Sequence, residues 1–134
     1  MFPMMPIGTL SKRSGVHIET IRYYERMGIL PKAERAANGR RSYVEADVQR
    51  LAFIRHARDL GFDLSSVRAL LALQEQPERS CKTASKLATA QLVAVESRLR
   101  RLAALRDELT RMVNACENGR VTDCRVINEL AKVN

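Results

Sequence analysis

With 134 residues, the chain has room for one compact domain, or for one domain with an appended helix. Its formal charge of +8 and pI near 10.0 point to an anionic partner, nucleic acid before membrane, and residues 1–76 and 77–134 each carry +4 of that excess. No apolar run approaches the length of a transmembrane helix, and the opening Met-Phe-Pro-Met-Met-Pro lacks the basic start and long apolar core of a signal peptide, so a cytoplasmic chain without membrane contact is expected.

Helical patterns dominate. Residues Ile7 to Ser14 read as a short helix, with Ile7, Leu10 and Val16 as apolar contacts. Ser14-Gly15-Val16 is a tight break, because glycine accepts the left-handed conformation that ends a helix. A second helix is expected from about His17 to Met27, with Ile18, Ile21, Tyr24 and Met27 on its buried stripe. Two short helices joined by a glycine-containing turn form a helix-turn-helix, whose second helix is the one placed in the DNA major groove. Its exposed face offers His17, Thr20, Arg22, Tyr23 and Arg26 to phosphates and base edges.

Gly28 closes that helix and Pro31 holds the following residues extended. Asn38-Gly39 signals a hairpin between strands at Leu30–Arg35 and Arg40–Val44, making a wing. The wing carries Lys32, Arg35, Arg40, Arg41 and Tyr43, well placed to grip the DNA backbone beside the groove. Helices follow over Glu45–Asp59 and from Asp63 or Leu64 to about Gln74, with Asp63 as a candidate cap; Pro77 ends the second. The division expected from these signals is a DNA-binding domain at 1–76 and a dimerisation segment at 77–134.

That segment is dominated by the run from Ser80 to Cys116. No Pro or Gly lies between Pro77 and Gly119. Leu92, Leu99 and Val113 occupy one set of heptad positions, and Val95, Leu102, Leu109 and Cys116 the other, the seam of a coiled coil; one seam position is Arg106. The chain has no second helix of this length, so the expected partner is another copy related by a two-fold axis. Cys81 and Cys116 flank a helix about 50 Å long and cannot share a ligand within one chain. In an antiparallel homodimer Cys81 of one copy would lie beside Cys116 of the other, with Cys124 folding back to the same place. Three-sulfur sites built from both chains would result. Three cysteines in a reducing compartment favour metal or redox chemistry over structural disulfides, and a Cys116–Cys124 thiol switch is the alternative use of the same residues. A last short helix is expected to begin at Cys124, with Asp123 as its candidate cap and Val126, Ile127, Leu130 and Val133 as its apolar face. Nothing supports an enzyme: there is no nucleophile–base pair, no glycine-rich phosphate loop and no His-Glu zinc motif.

Taken together, Ile7-Gly8-Thr9-Leu10, Ser14-Gly15-Val16, Thr20-Ile21-Arg22-Tyr23-Tyr24-Glu25, Gly28-Ile29-Leu30-Pro31, Asn38-Gly39, Arg41-Ser42-Tyr43, Asp47-Val48 and Arg58-Asp59-Leu60-Gly61-Phe62 closely resemble the MerR family of transcriptional regulators. Arg40 departs from the tyrosine usual in the family's wing. The resemblance implies a mainly α fold: a winged helix-turn-helix domain, a long antiparallel coiled-coil dimerisation helix, and a short C-terminal metal-binding loop and helix. It implies DNA contacts by Arg22, Tyr23, Arg41 and Tyr43, with Arg58 touching the backbone. It also implies a homodimer that binds a palindromic operator in double-stranded promoter DNA and distorts it so that RNA polymerase reads both promoter elements. The long extra C-terminal domain of members that sense organic effectors is absent, and only two cysteines follow the long helix where the iron–sulfur branch has four. The chain thus resembles the metal-responsive branch, in which a cysteine at the position of Cys81 goes with soft divalent ions (zinc, cadmium, lead or mercury) and a serine with monovalent ones.

Overall fold

The computed structural model describes residues 4–115 and 119–133. It contains helices α1 (Ile7–Ser14) and α2 (Ile18–Arg26), strands β1 (Glu34–Arg35) and β2 (Arg41–Ser42), then α3 (Glu45–Asp59), α4 (Leu64–Gln74), α5 (Lys82–Ala115) and α6 (Arg125–Leu130). The chain divides into two compact units, residues 1–87 and 88–134, and α5 belongs to both.

In the first unit the turn between α1 and α2 has the expected chemistry. Gly15 adopts φ 74° and its N–H bonds back to the Ser11 carbonyl. A side chain at this position would be strained, and its Cβ would also stand 3.2 Å from Arg55 Nε. The Ser11 hydroxyl donates to the Val16 carbonyl at 2.6 Å and Ser14 Oγ accepts from the Val16 N–H at 3.3 Å, so the buried polar groups of the turn are satisfied locally. α1 packs on α2 and α3, and α3 on α4. Between them lies one apolar core, which includes Leu10, Ile21, Leu30, Leu51, Ile54 and Val67, all fully buried. Asp63 caps α4, its Oδ1 accepting from the Ser66 N–H at 2.8 Å. At the start of α3, Asp47 Oδ2 accepts from the Val44 N–H at 2.9 Å.

The wing is shorter than the sequence suggests. Only Glu34↔Ser42 and Arg35↔Arg41 pair, antiparallel. Leu30 is drawn into the core, and Pro31 has no N–H to offer a ladder. At the other end Tyr43 pairs with Met5 instead, each N–H donating to the other's carbonyl at 2.8 Å. Met5, ahead of α1, therefore extends the wing, a pairing that local sequence pattern does not reveal. The turn itself forms as expected: Gly39 takes φ 81°, and Asn38 Oδ1 accepts from the Arg40 N–H at 3.0 Å.

In the second unit the heptad leucines and valines of α5 stay uncovered. Leu92, Leu99, Leu102, Leu109 and Val113 are all more than half exposed. Among the described residues that follow α5, a 3-10 turn (Val121–Asp123) leads into α6. Cys124 is the N-cap of α6 rather than its first residue, and Asp123 closes the preceding turn instead of capping the helix.

Candidate nucleic-acid interface

The second helix of a helix-turn-helix needs one buried face and one free face, and α2 has both. Ile21, Tyr24 and Glu25 are buried, while His17 at the N-cap and Arg22, Tyr23 and Arg26 are exposed; Thr20 is half-buried. Beside this helix the wing folds over to form a cleft. Arg22 and Arg26 from α2, with Lys32, Arg35, Arg40 and Arg41 from the wing, line it together with Pro6, Ile7, Ala33, Tyr43 and Glu25. Six cations and one carboxylate on a single concave surface make a strong local positive field, suited to a polyphosphate backbone. The Arg26 guanidinium lies over the Tyr23 ring, 6.0 Å from its centroid, which orders both exposed side chains. Arg35 Nη1 donates to the Gly39 carbonyl at 3.0 Å and so stiffens the hairpin tip.

One residue expected to face DNA is buried instead. Tyr43 is fully buried, and its hydroxyl donates to Glu25 Oε1 at 2.5 Å. It is part of the core beneath the wing, not of the exposed surface. Burial pushes its pKa up to about 12, reinforced by the hydrogen bond and the charge of Glu25. Arg58 is exposed but lies outside the cleft lining, and its Nη1 donates to the Phe62 carbonyl at 2.8 Å across the turn after α3.

Three further residues, not among the sequence-predicted contacts, brace the cleft. Glu25 is 4% exposed. Besides Tyr43, its Oε2 accepts from Arg41 Nη1 at 3.3 Å and from the Ala33 N–H at 3.5 Å. The signal was present: Glu25 stands four residues after Ile21, on the buried stripe of α2, where a lone carboxylate requires partners. Arg50 of α3 donates through Nε to the Ile29 carbonyl at 2.6 Å, and Arg68 of α4 donates to the Met27 carbonyl. Both acceptors are carbonyls just past the C-terminus of α2, where a helix end leaves acceptors without intrahelical partners. Arg50 also reaches Glu75 Oε1 at 3.2 Å, the C-cap of α4.

The cysteine positions are set by α5 and α6. Cys81 is exposed and precedes the first residue of α5, its carbonyl accepting from the Ser85 N–H at 2.9 Å; Ser80 Oγ accepts from the Lys82 N–H at 3.2 Å. Cys124 is half-buried, its carbonyl accepting from the Asn128 N–H at 3.0 Å. Cys116 lies outside the described residues. Among those described, no three histidine, cysteine or acidic side chains come together as a metal site. His17 and His56 are both exposed, in the first unit.

Residues 5–74 match the MerR helix-turn-helix family of regulatory proteins, and residues 48–112 match the family described as "MerR, DNA binding". The transcriptional regulator HmrR of Rhizobium leguminosarum bv. viciae is 39% identical over 127 residues, covering 95% of this chain and 98% of its own. The regulator ZntR of Escherichia coli K12 is 41% identical over 114 residues, 84% of this chain and 81% of its own. Among solved structures, the transcription regulator PbrR691 of Ralstonia metallidurans CH34, in complex with lead(II), superposes with a TM-score of 0.79 at 35% identity, covering 95% of this chain and 99% of that one. These relatives are transcriptional regulators, not enzymes. With the helix-turn-helix, the basic wing and the long helix in the same order, this chain belongs to the MerR family of helix-turn-helix transcriptional regulators.

Proposed function

We propose that the protein is a metal-responsive, cytoplasmic transcription factor that acts as a homodimer on a palindromic promoter operator. The observation that carries the DNA half is the cleft in which Arg22 and Arg26 of the recognition helix stand with four cations of the wing. The metal half is supported by relatives that include a "probable heavy metal-dependent transcriptional regulator" of Haemophilus influenzae, 34% identical over 94% of this chain, and the lead complex of PbrR691. The domain division follows from the same reading: residues 1–76 bind DNA, and residues 77–134 dimerise and bind the inducer.

Cys81 precedes α5, a helix of 34 residues about 50 Å long, and Cys116 follows Ala115 in the sequence. One chain cannot bring both to the same ion. Antiparallel pairing of two α5 helices would place Cys81 of one copy next to Cys116 and Cys124 of the other, and it would cover the heptad leucines. The donor set fits the group it would hold: Cys81 is exposed and Cys124 half-buried, each at the N-terminal edge of a helix, and thiolate sulfurs select soft or borderline cations such as zinc, cadmium, lead or mercury. A bound ion would supply a thiolate-coordinated link between the two chains. The dimer's part is to hold its two recognition helices at different settings in the loaded and empty states, so that the deformation of the bound promoter, and its reading by RNA polymerase, differ between them.

Competition titration of the reduced protein with zinc, cadmium, lead, mercury and monovalent copper tests this, with Cys81→Ser alongside. Tight divalent binding that Cys81→Ser abolishes is the expected result. Divalent binding no stronger than that of a simple dithiol, or a silent Cys81→Ser, overturns the inter-chain site and leaves a Cys116–Cys124 redox switch as the reading to pursue.

A further inference from the structure

Glu25 is the one acidic residue lining the cationic cleft, and it is 4% exposed. A carboxylate there repels the phosphates the cleft attracts, so its presence needs a reason other than charge. Its hydrogen bonds give one. Tyr43, just after β2, donates to Oε1; Arg41 in β2 and the Ala33 N–H just before β1 donate to Oε2. Three donors from both arms of the wing thus converge on one side chain of the recognition helix. Only a carboxylate accepts on both oxygens: in a glutamine one of the two becomes an NH2 group that faces donors.

Arg41 couples this carboxylate to the wing. Its side chain is 53% exposed, against 4% for Glu25, so the pair links a buried carboxylate to a half-exposed guanidinium in the cleft lining. Nη1 of the guanidinium is committed to Glu25, while the half-exposed side chain leaves the other donors of the planar fork accessible to a ligand in the cleft. We propose that Glu25 is a positioning residue for DNA reading: it fixes the wing's cations in register with the recognition helix, and so sets selectivity among DNA sequences rather than overall attraction to DNA. This rests on the cleft being the DNA interface.

Specific and non-specific binding separate the roles. Non-specific affinity follows the number of neutralised phosphates, whereas specific affinity also needs phosphate and base contacts made simultaneously. The test uses full-length wild type, Glu25→Gln, Tyr43→Phe and the double variant. The probes are the duplex that wild type selects from a random-sequence library and a scrambled duplex of equal length, across a salt series. Glu25→Gln should weaken binding to the selected duplex about tenfold or more, while binding to the scrambled duplex stays equal or tightens, because a negative charge has left the cleft. The selected duplex should also lose salt dependence. Tyr43→Phe should act in the same direction, and the double variant should lose less than the two single effects combined. Parallel weakening on both duplexes marks a merely structural role and overturns the proposal. So does equal tightening on both, which would leave Glu25 as a source of repulsion alone. A wild type that selects no sequence overturns the interface itself, and this role with it.

Discussion

Leu102 offers the sharpest test of how the long helix is used. It is 62% exposed on α5, at the centre of a run of apolar side chains that one chain leaves uncovered. Full burial of a leucine contributes about 1.5–3 kcal/mol, so covering the exposed three-fifths contributes about 1–2 kcal/mol per copy. Alanine keeps the β-carbon, which brings the loss in Leu102→Ala to about 1 kcal/mol per copy and, across a two-fold axis, about 2 kcal/mol per dimer. The dimer dissociation constant should then rise about 30-fold. Sedimentation equilibrium over a concentration series measures it directly. Arg111→Ala, on the outward face of the same helix, should leave the constant unchanged. Arg106→Leu, which replaces the one charged seam position, should tighten it. If Leu102→Ala changes the constant by less than about threefold, the seam is not the dimer interface and the inter-chain cysteine site loses its geometric basis.

Tyr43→Phe removes a buried hydrogen bond to a carboxylate and should cost about 1.5–3 kcal/mol in urea unfolding at neutral pH. Because folding raises the Tyr43 pKa from its ordinary value to about 12, the stability it contributes is complete below about pH 10 and is lost as pH rises through about 12. The gap between wild type and Tyr43→Phe should therefore narrow across that alkaline window; a constant gap would refute the assignment. At the acid end, the Ser66 N–H holds the Asp63 carboxyl below its usual range, so its contribution is present above the unfolded value and is lost as pH falls through the folded one. Asp63→Asn, which can still cap α4, should flatten the acid limb with little change at neutral pH, whereas Asp63→Ala should lower stability at neutral pH as well. Arg22→Ala and Arg41→Ala should each abolish operator binding while metal affinity, measured by the same competition titration, stays intact; loss of both together would refute a two-part molecule.

The sequence alone determined most of the local architecture. The start and end of α1, α3 and α4, the Gly15 turn, the Asn38-Gly39 hairpin tip and the unbroken α5 are written in residue types whose backbone preferences act over a few positions. The cations that line the cleft were legible for the same reason, since a basic helix face and a basic hairpin are local features. Tertiary structure decided what those local features do to one another. It buried Tyr43, which on its own reads as a wing contact, because its backbone pairs with Met5 and its hydroxyl meets Glu25 across 18 positions. It shortened the wing by taking Leu30 into the core. It set Arg50 and Arg68 on the carbonyls that follow α2, 21 and 41 positions away in the chain. Each of these is a contact between residues distant in sequence. A side chain's propensity states where it is comfortable, while burial and hydrogen bonding depend on which distant group arrives beside it.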